Sequence, residues 1–293
     1  MIGTVKGEEQ PERRNGSFAL LTSTMTADPY LPQEIIDHII DFLYDKPETL
    51  NACCLVSKSW IPRARKYLFA EVEFSSIRDF ESWMETFPDT FNSPGHQTRT
   101  LIVRCARVVA ARDGGTDDLI KIFPSVVRLT LTTFYNSALL VTDVLNTVNL
   151  TPFYELSSTL KSLHVDFIYL PRSQTFNFLS SLPLLEDLGL VGRDFWPEAH
   201  EPQGAALSIS PAFTGFLELN IFTGTGITAR WLLDLSGGLR FRKLCISWSH
   251  EEDILWTKEL VTRCSDTLEC LDVRSQFRTF ILILRGVATY LHL

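Results

Sequence analysis

The sequence predicts a mixed α/β chain in two parts: a small three-helix unit, then a longer solenoid of alternating strands and helices. Two patterns carry this reading. Near the N-terminus, three short helical patterns follow one another with no strand pattern between them. From residue 98 onward, apolar pairs recur seven times, at intervals of 28, 34, 25, 31, 25 and 27 residues, with helical pieces between them. The 293 residues are enough for a small domain plus a larger one, and 45% hydrophobic with 21% charged residues is an ordinary globular composition.

Residues 1–28 are polar and charged without periodicity, which predicts a disordered lead-in. Arg13-Arg14 is followed by one short apolar run, Phe18 to Leu21, where an export signal needs about 7 to 15 apolar residues. Without export, the sequons at Asn15 and Asn149 have no meaning, and the cysteines at 53, 54, 105, 245, 264 and 270 are expected to be buried thiols.

The first helix is written in LPQEIIDHIIDFLYD. Pro32 suits a first helical turn and Glu34 the positive helix end. Ile35, Ile36, Ile39, Ile40 and Leu43 form one apolar stripe opposite Gln33, Glu34, Asp37, His38 and Asp41. Lys46-Pro47 closes this helix and opens the next, expected over 48–60. In it Leu50, Cys53, Cys54, Ser57, Trp60 and Ile61 share a face, while Ala52, Leu55, Val56 and Ser59 fill much of the rest. A helix apolar on nearly all sides needs cover on nearly all sides. Three short helices cannot supply that cover, so part of this surface is expected to lie against something else. Pro62 begins a third helix, PRARKYLF, which ends before EVEF.

Residues 75–97 are expected to be a linker helix and loop. SSIRDFESWMETF puts Ile77, Phe80, Trp83, Met84 and Phe87 on one face, and FPDTFNSPGHQ then breaks the pattern. The solenoid is expected over 98–293. Its apolar pairs are Leu101/Val103, Leu129/Leu131, Leu163/Val165, Leu188/Leu190, Leu219/Ile221, Leu244/Ile246 and Leu271/Val273. Helical pieces between them include TDDLIKIF, SQTFNFLSSL, ARWLLDL and WTKELVTRC. One strand with alternate leucines inward plus one helix is the leucine-rich-repeat pattern, stretched by insertions, and stacking such coils makes a continuous core. A doubly wound α/β sheet also alternates strands and helices, but the regular single pair in each strand favours the solenoid. After Leu271 the chain runs into FRTFILILRGVATYLHL without a polar capping coil, as a truncated frame or an association edge would.

The stretch LPQEIIDHIIDFLYDKPETLNACCLVSKSW resembles an F-box of the fungal F-box-like type. Leu31-Pro32 with Glu34, the isoleucine-rich helix, Leu50, Cys54, Leu55-Val56-Ser57-Lys58 and Trp60 carry the resemblance, which places an F-box over 29–74. The repeats resemble the leucine-rich-repeat-like tails of that family. The resemblance implies a non-catalytic substrate receptor of an SCF-type cullin–RING ubiquitin ligase, working in the cytoplasm or nucleus. Its docking face for the ligase's small adaptor subunit, and through it the cullin, would be Leu31, Pro32, Ile35, Ile36, Ile39, Leu50, Cys54, Val56, Ser57 and Trp60. The tail would hold a protein substrate, and proximity would raise the effective concentration of that substrate's lysines. A ligase-independent interaction scaffold on the same solenoid is the alternative.

The inner sheet face of such a solenoid would carry Ile102, Arg104, Arg128, Thr130, His164, Asp166, Asn220, Phe222, Lys243, Asp272 and Arg274. Of these, Arg104, Arg128, His164, Asp166, Asn220, Phe222, Asp272 and Arg274 are the candidate substrate-binding residues. Their mixed charges suit a protein partner, and a net charge of -8 argues against nucleic acid. No apolar run approaches the roughly 18 to 20 residues of a membrane-spanning helix.

Other chemistry is weaker, and neither metal nor cofactor is expected. GTGITA at 224–229 matches the G-x-G-x-x-A of dinucleotide sites, but the following strand ends ISWSH with no acid to hold a ribose. Cys264, Cys270 and His250 fit no short zinc spacing. His164 and Asp166 share a strand face by simple alternation, and no G-x-S-x-G elbow exists. HEED at 250–253 reads as a solvated loop or helix start.

Overall fold

The structure, a computed structural model, describes residues 31–104, 119–132, 150–196, 213–221, 225–235, 238–248, 250–275 and 279–283. The expected lead-in, Arg13-Arg14, both sequons, Cys105, Phe222 and residues 284–293 lie outside that set.

Three helices come first: α1 (Gln33–Asp41), α2 (Pro47–Val56) and α3 (Ile61–Leu68). Ile36, Ile40, Leu50, Cys53 and Ala64 make their core, with Leu43, Cys54, Trp60, Tyr67 and Leu68 packed around it. Asp41 at the end of α1 clamps α3. Arg63 donates from Nε to Oδ1 at 2.6 Å and from Nη2 to Oδ2 at 2.5 Å, and the Tyr67 hydroxyl donates to Oδ1 at 2.8 Å. The guanidinium's planar fork suits this two-point grip.

The second helix stops four residues short of its expected end. Ser57 is extended, at φ -153° and ψ 144°, and its hydroxyl accepts the Ser59 N–H at 3.3 Å. A short serine side chain offers the backbone this local bond in place of a helical one. Trp60 therefore stands at the head of α3, out of helical register with Cys53 and Cys54.

A nine-stranded sheet follows among the described residues, in strict chain order: β1 (Glu71–Phe74), β2 (Thr100–Val103), β3 (Arg128–Thr132), β4 (Ser162–Pro171), β5 (Asp187–Trp196), β6 (Phe216–Ile221), β7 (Lys243–Trp248), β8 (Cys270–Ser275) and β9 (Thr279–Ile283). The first eight pair in parallel and β9 returns antiparallel to β8. The order never reverses, so the sheet lacks the switch point of a doubly wound fold. The chain is thus α/β with an eight-strand parallel sheet.

The sheet starts earlier than the leucine pairs suggest. EVEF is its first strand, and Val72 and Phe74 sit in the sheet's core rather than with the helical unit. The segment expected as a linker belongs to the same body. Its helix α4 (Ile77–Thr86) opens on a Ser76–Asp79 capping box and packs Phe80, Trp83 and Met84 onto that core. Phe69, at the end of α3, meets Trp83 edge-on at 5.9 Å, and Trp83 meets Phe123 at 5.5 Å. These rings join the helical unit to the first coils of the sheet.

All seven predicted pairs point the same way, into one core shared with the connecting segments: α5 (Leu119–Ile122), a 3-10 turn at Thr151–Ser158, α6 (Arg172–Ser180), α7 (Thr225–Leu233) and α8 (Glu251–Cys264). Phe123, Phe153, Phe178, Phe213 and Phe241 are fully buried there. Each inward strand residue is followed by one facing the other way, so the second sheet face is left for polar side chains. At the strand entrances, the carbonyls of Ala70, Arg99, Val127, Lys161 and Arg242 each accept two N–H groups from the next coil. That repeated bond locks the register, and with it the rows of side chains on the open face.

Candidate functional site

Two surfaces collect the candidate residues. The first is the outer side of the helical unit. The paired isoleucines divide because neighbours on a helix point about 100° apart. Ile36 faces inward at 7% exposure and Ile40 is fully buried, whereas Ile35 keeps 45% and Ile39 42% of its surface exposed. Of the ten docking candidates, Ile36 and Leu50 therefore lie in the core. Cys54, Ser57 and Trp60 are half-buried, while Leu31, Pro32, Ile35, Ile39 and Val56 are open. Beside these lie exposed apolar residues that the sequence reading left out of the docking set, Leu55 at 88% and Phe42 at 82%. Phe42 continues Ile35 and Ile39 at offsets 0, 4 and 7, a signal the sequence did contain. Burial pushes the Cys54 thiol up, so this cysteine packs as a neutral group.

The second surface is the open sheet face, where the register sets side chains in rows. One row reads Glu73, Ile102, Thr130, His164, Gly189, Glu218, Cys245 and Asp272. The next, toward the strand ends, reads Thr132, Asp166, Val191, Asn220, Ser247 and Arg274. His164, Asp166, Asn220, Asp272 and Arg274 are thus brought onto two adjacent rows. Arg128 lies one row nearer the strand entrances, and Arg104 follows β2, one strand in from the sheet's edge.

The ends of this face are internally paired. Arg104 Nε meets Glu73 at 2.6 Å and holds its carboxyl below the usual range. Arg274 donates to Asp272 Oδ2 at 2.6 Å. The middle is different. The His164 imidazole lies over Gly189, where a methyl group would overlap Nδ1, and reaches 3.8 Å from Glu218 two strands away. Asp166 Oδ1 is buried without a hydrogen-bond donor, and burial pushes that carboxyl up. Cys245 is buried between Glu218 and Asp272, and burial pushes its thiol to about 11. Such a cysteine is a poor nucleophile.

The GTGITA turn has its own occupant. The Gly226 N–H, at the start of α7, donates to Asp253 Oδ1 at 2.8 Å, and Thr225 Oγ1 donates to the Ile221 and Ser247 carbonyls. The chain's own carboxylate sits where a pyrophosphate would have to lie. HEED is the start of α8, with Asp253 buried rather than solvated. Cys264 is wholly buried in the sheet's core, its thiol pushed up to about 11 by burial. The described cysteines 53, 54, 245, 264 and 270 are free thiols.

No described helix is long and apolar enough to cross a membrane. The fold and its two surfaces define an α/β chain in which a helical unit with an open apolar side is joined to one long parallel sheet. No family model, curated protein or solved structure matches the chain.

Proposed function

We propose that the chain is a non-catalytic substrate receptor of an SCF-type ubiquitin ligase, in the cytoplasm or nucleus. In this reading the helical unit is the F-box and the sheet is a leucine-rich-repeat-like solenoid. The observation that carries it is the apolar surface left uncovered on α1 and α2: Ile35, Ile39, Phe42, Leu55 and Val56 are all exposed around a core of only five buried residues. Exposed apolar residues gathered on so small a unit mark a protein interface. The sequence resemblance supplies the partner, the ligase's adaptor subunit. The rows of polar side chains on the open sheet face supply the second half of a receptor, a rigid surface for a substrate.

The test is a pull-down of the purified full chain on the adaptor, beside an Ile39→Asp/Leu55→Asp variant whose melting is checked separately. Binding by the wild type and its loss in the variant supports the reading. Failure of the folded wild-type chain to bind sinks it, leaving the ligase-independent scaffold on the same sheet face.

A further inference from the structure

We propose that the centre of the open sheet face takes a lysine or arginine side chain of a partner protein, between Asp166 and Glu218. The proposal rests on the reading of that face as a protein-binding surface and adds the chemistry of what binds. Across β4 to β7, the two central rows present His164, Asp166, Gly189, Val191, Glu218, Asn220, Cys245 and Ser247. That set holds two carboxylates and neither lysine nor arginine. On the flanks Arg104 is paired with Glu73 and Arg274 with Asp272, while Arg128 and Lys243 lie one row nearer the strand entrances.

Among the described residues, neither central carboxylate is hydrogen-bonded to a lysine or arginine. Glu218 has His164 at 3.8 Å, beyond hydrogen-bonding reach, and keeps part of its surface open. Asp166 is half-buried, and its Oδ1 receives no donor. A half-desolvated carboxylate without a counter-charge is costly, and an incoming cation lowers that cost. The two sit on strands two apart and one row apart, which puts their backbones about 12 Å from each other, a separation at which one guanidinium or ammonium lying above the face can reach both side chains. The His164 imidazole lies over the bare backbone of Gly189, on the strand between the two carboxylates.

The test uses the full chain and a fluorescein-labelled octapeptide of alternating glycine and arginine, read by fluorescence anisotropy at low salt. Its counterpart carries glutamine in place of arginine. Because the whole chain is acidic, the decisive comparison is between two variants of equal charge. One is Asp166→Asn/Glu218→Gln; the other is Glu259→Gln/Asp266→Asn, altered at exposed positions on and just after α8. Wild type is expected to bind the arginine peptide and not the glutamine one, the face variant to lose about tenfold or more, and the α8 variant to stay within about twofold. Equal losses in both variants, or no discrimination against glutamine, overturn the proposal. Adaptor binding by the face variant is measured in parallel, so that failure here is separable from failure of the F-box reading.

Discussion

Asp253 joins two helix starts: its Oδ1 accepts the Gly226 N–H at the head of α7 at 2.8 Å, and its Oδ2 accepts the His250 N–H before α8 at 3.3 Å. The residue is only 7% exposed and the Gly226 bond is buried, so water cannot replace that bond. Truncation would strand the buried Gly226 N–H and remove negative charge from two positive helix ends.

Asp253→Ala is therefore expected to cost about 2–4 kcal/mol, the loss of two charge-assisted bonds. Urea unfolding measures it. Asp253→Asn keeps an acceptor and is expected to lose less than half as much. Equal losses from the two substitutions would show that the charge, rather than the acceptor, holds the turn.

A second prediction concerns pH. The Arg63 and Tyr67 hydrogen bonds hold the Asp41 carboxyl at about 2, against an ordinary 3.8. Because the folded value is the lower one, the stabilisation is fully present above pH 3.8 and is lost as pH falls from there toward 2. Wild type should exceed Asp41→Asn in urea resistance at pH 5, and the difference should shrink steadily below pH 4. A difference that stays constant down to pH 2.5 would mean that Arg63 does not stabilise the carboxylate form.

The strands were legible because leucine and valine alternate in them against a polar face, and all seven pairs fall on strands of one sheet. EVEF was not, since its pair, Val72/Phe74, has no leucine and abuts a helical run. The ends of α2 and the split of the isoleucines depend on finer matters. Ser57 trades a helical bond for a local one, and two adjacent isoleucines look alike until the neighbouring helices are placed. Asp253 could not be read at all. Its partner, Gly226, is 27 residues away, and only the stacking of two coils brings them together.

Burial on α1 makes a third prediction. Ile36→Asp places a charge in the helical core and is expected to cost more than about 3 kcal/mol, unfolding that unit. Ile39→Asp, on the open side, is expected to change stability by less than about 1 kcal/mol and to abolish adaptor binding. Circular dichroism melting paired with the pull-down separates the two. Loss of folding in Ile39→Asp would place that side chain inside a packed surface instead.

The last prediction tests the packing of His164 on Gly189. A methyl group at 189 would overlap Nδ1 of the imidazole, so Gly189→Ala must tilt the ring or push β4 from β5. The ring is on the partly open face and can move, which sets the cost at about 1–2 kcal/mol rather than more. Removing the ring should remove the conflict, leaving His164→Ala/Gly189→Ala more stable than Gly189→Ala alone. The double-mutant cycle in urea thus has a definite sign: the alanine at 189 is harmful only when histidine stands at 164. Additive effects would mean that the two positions do not touch.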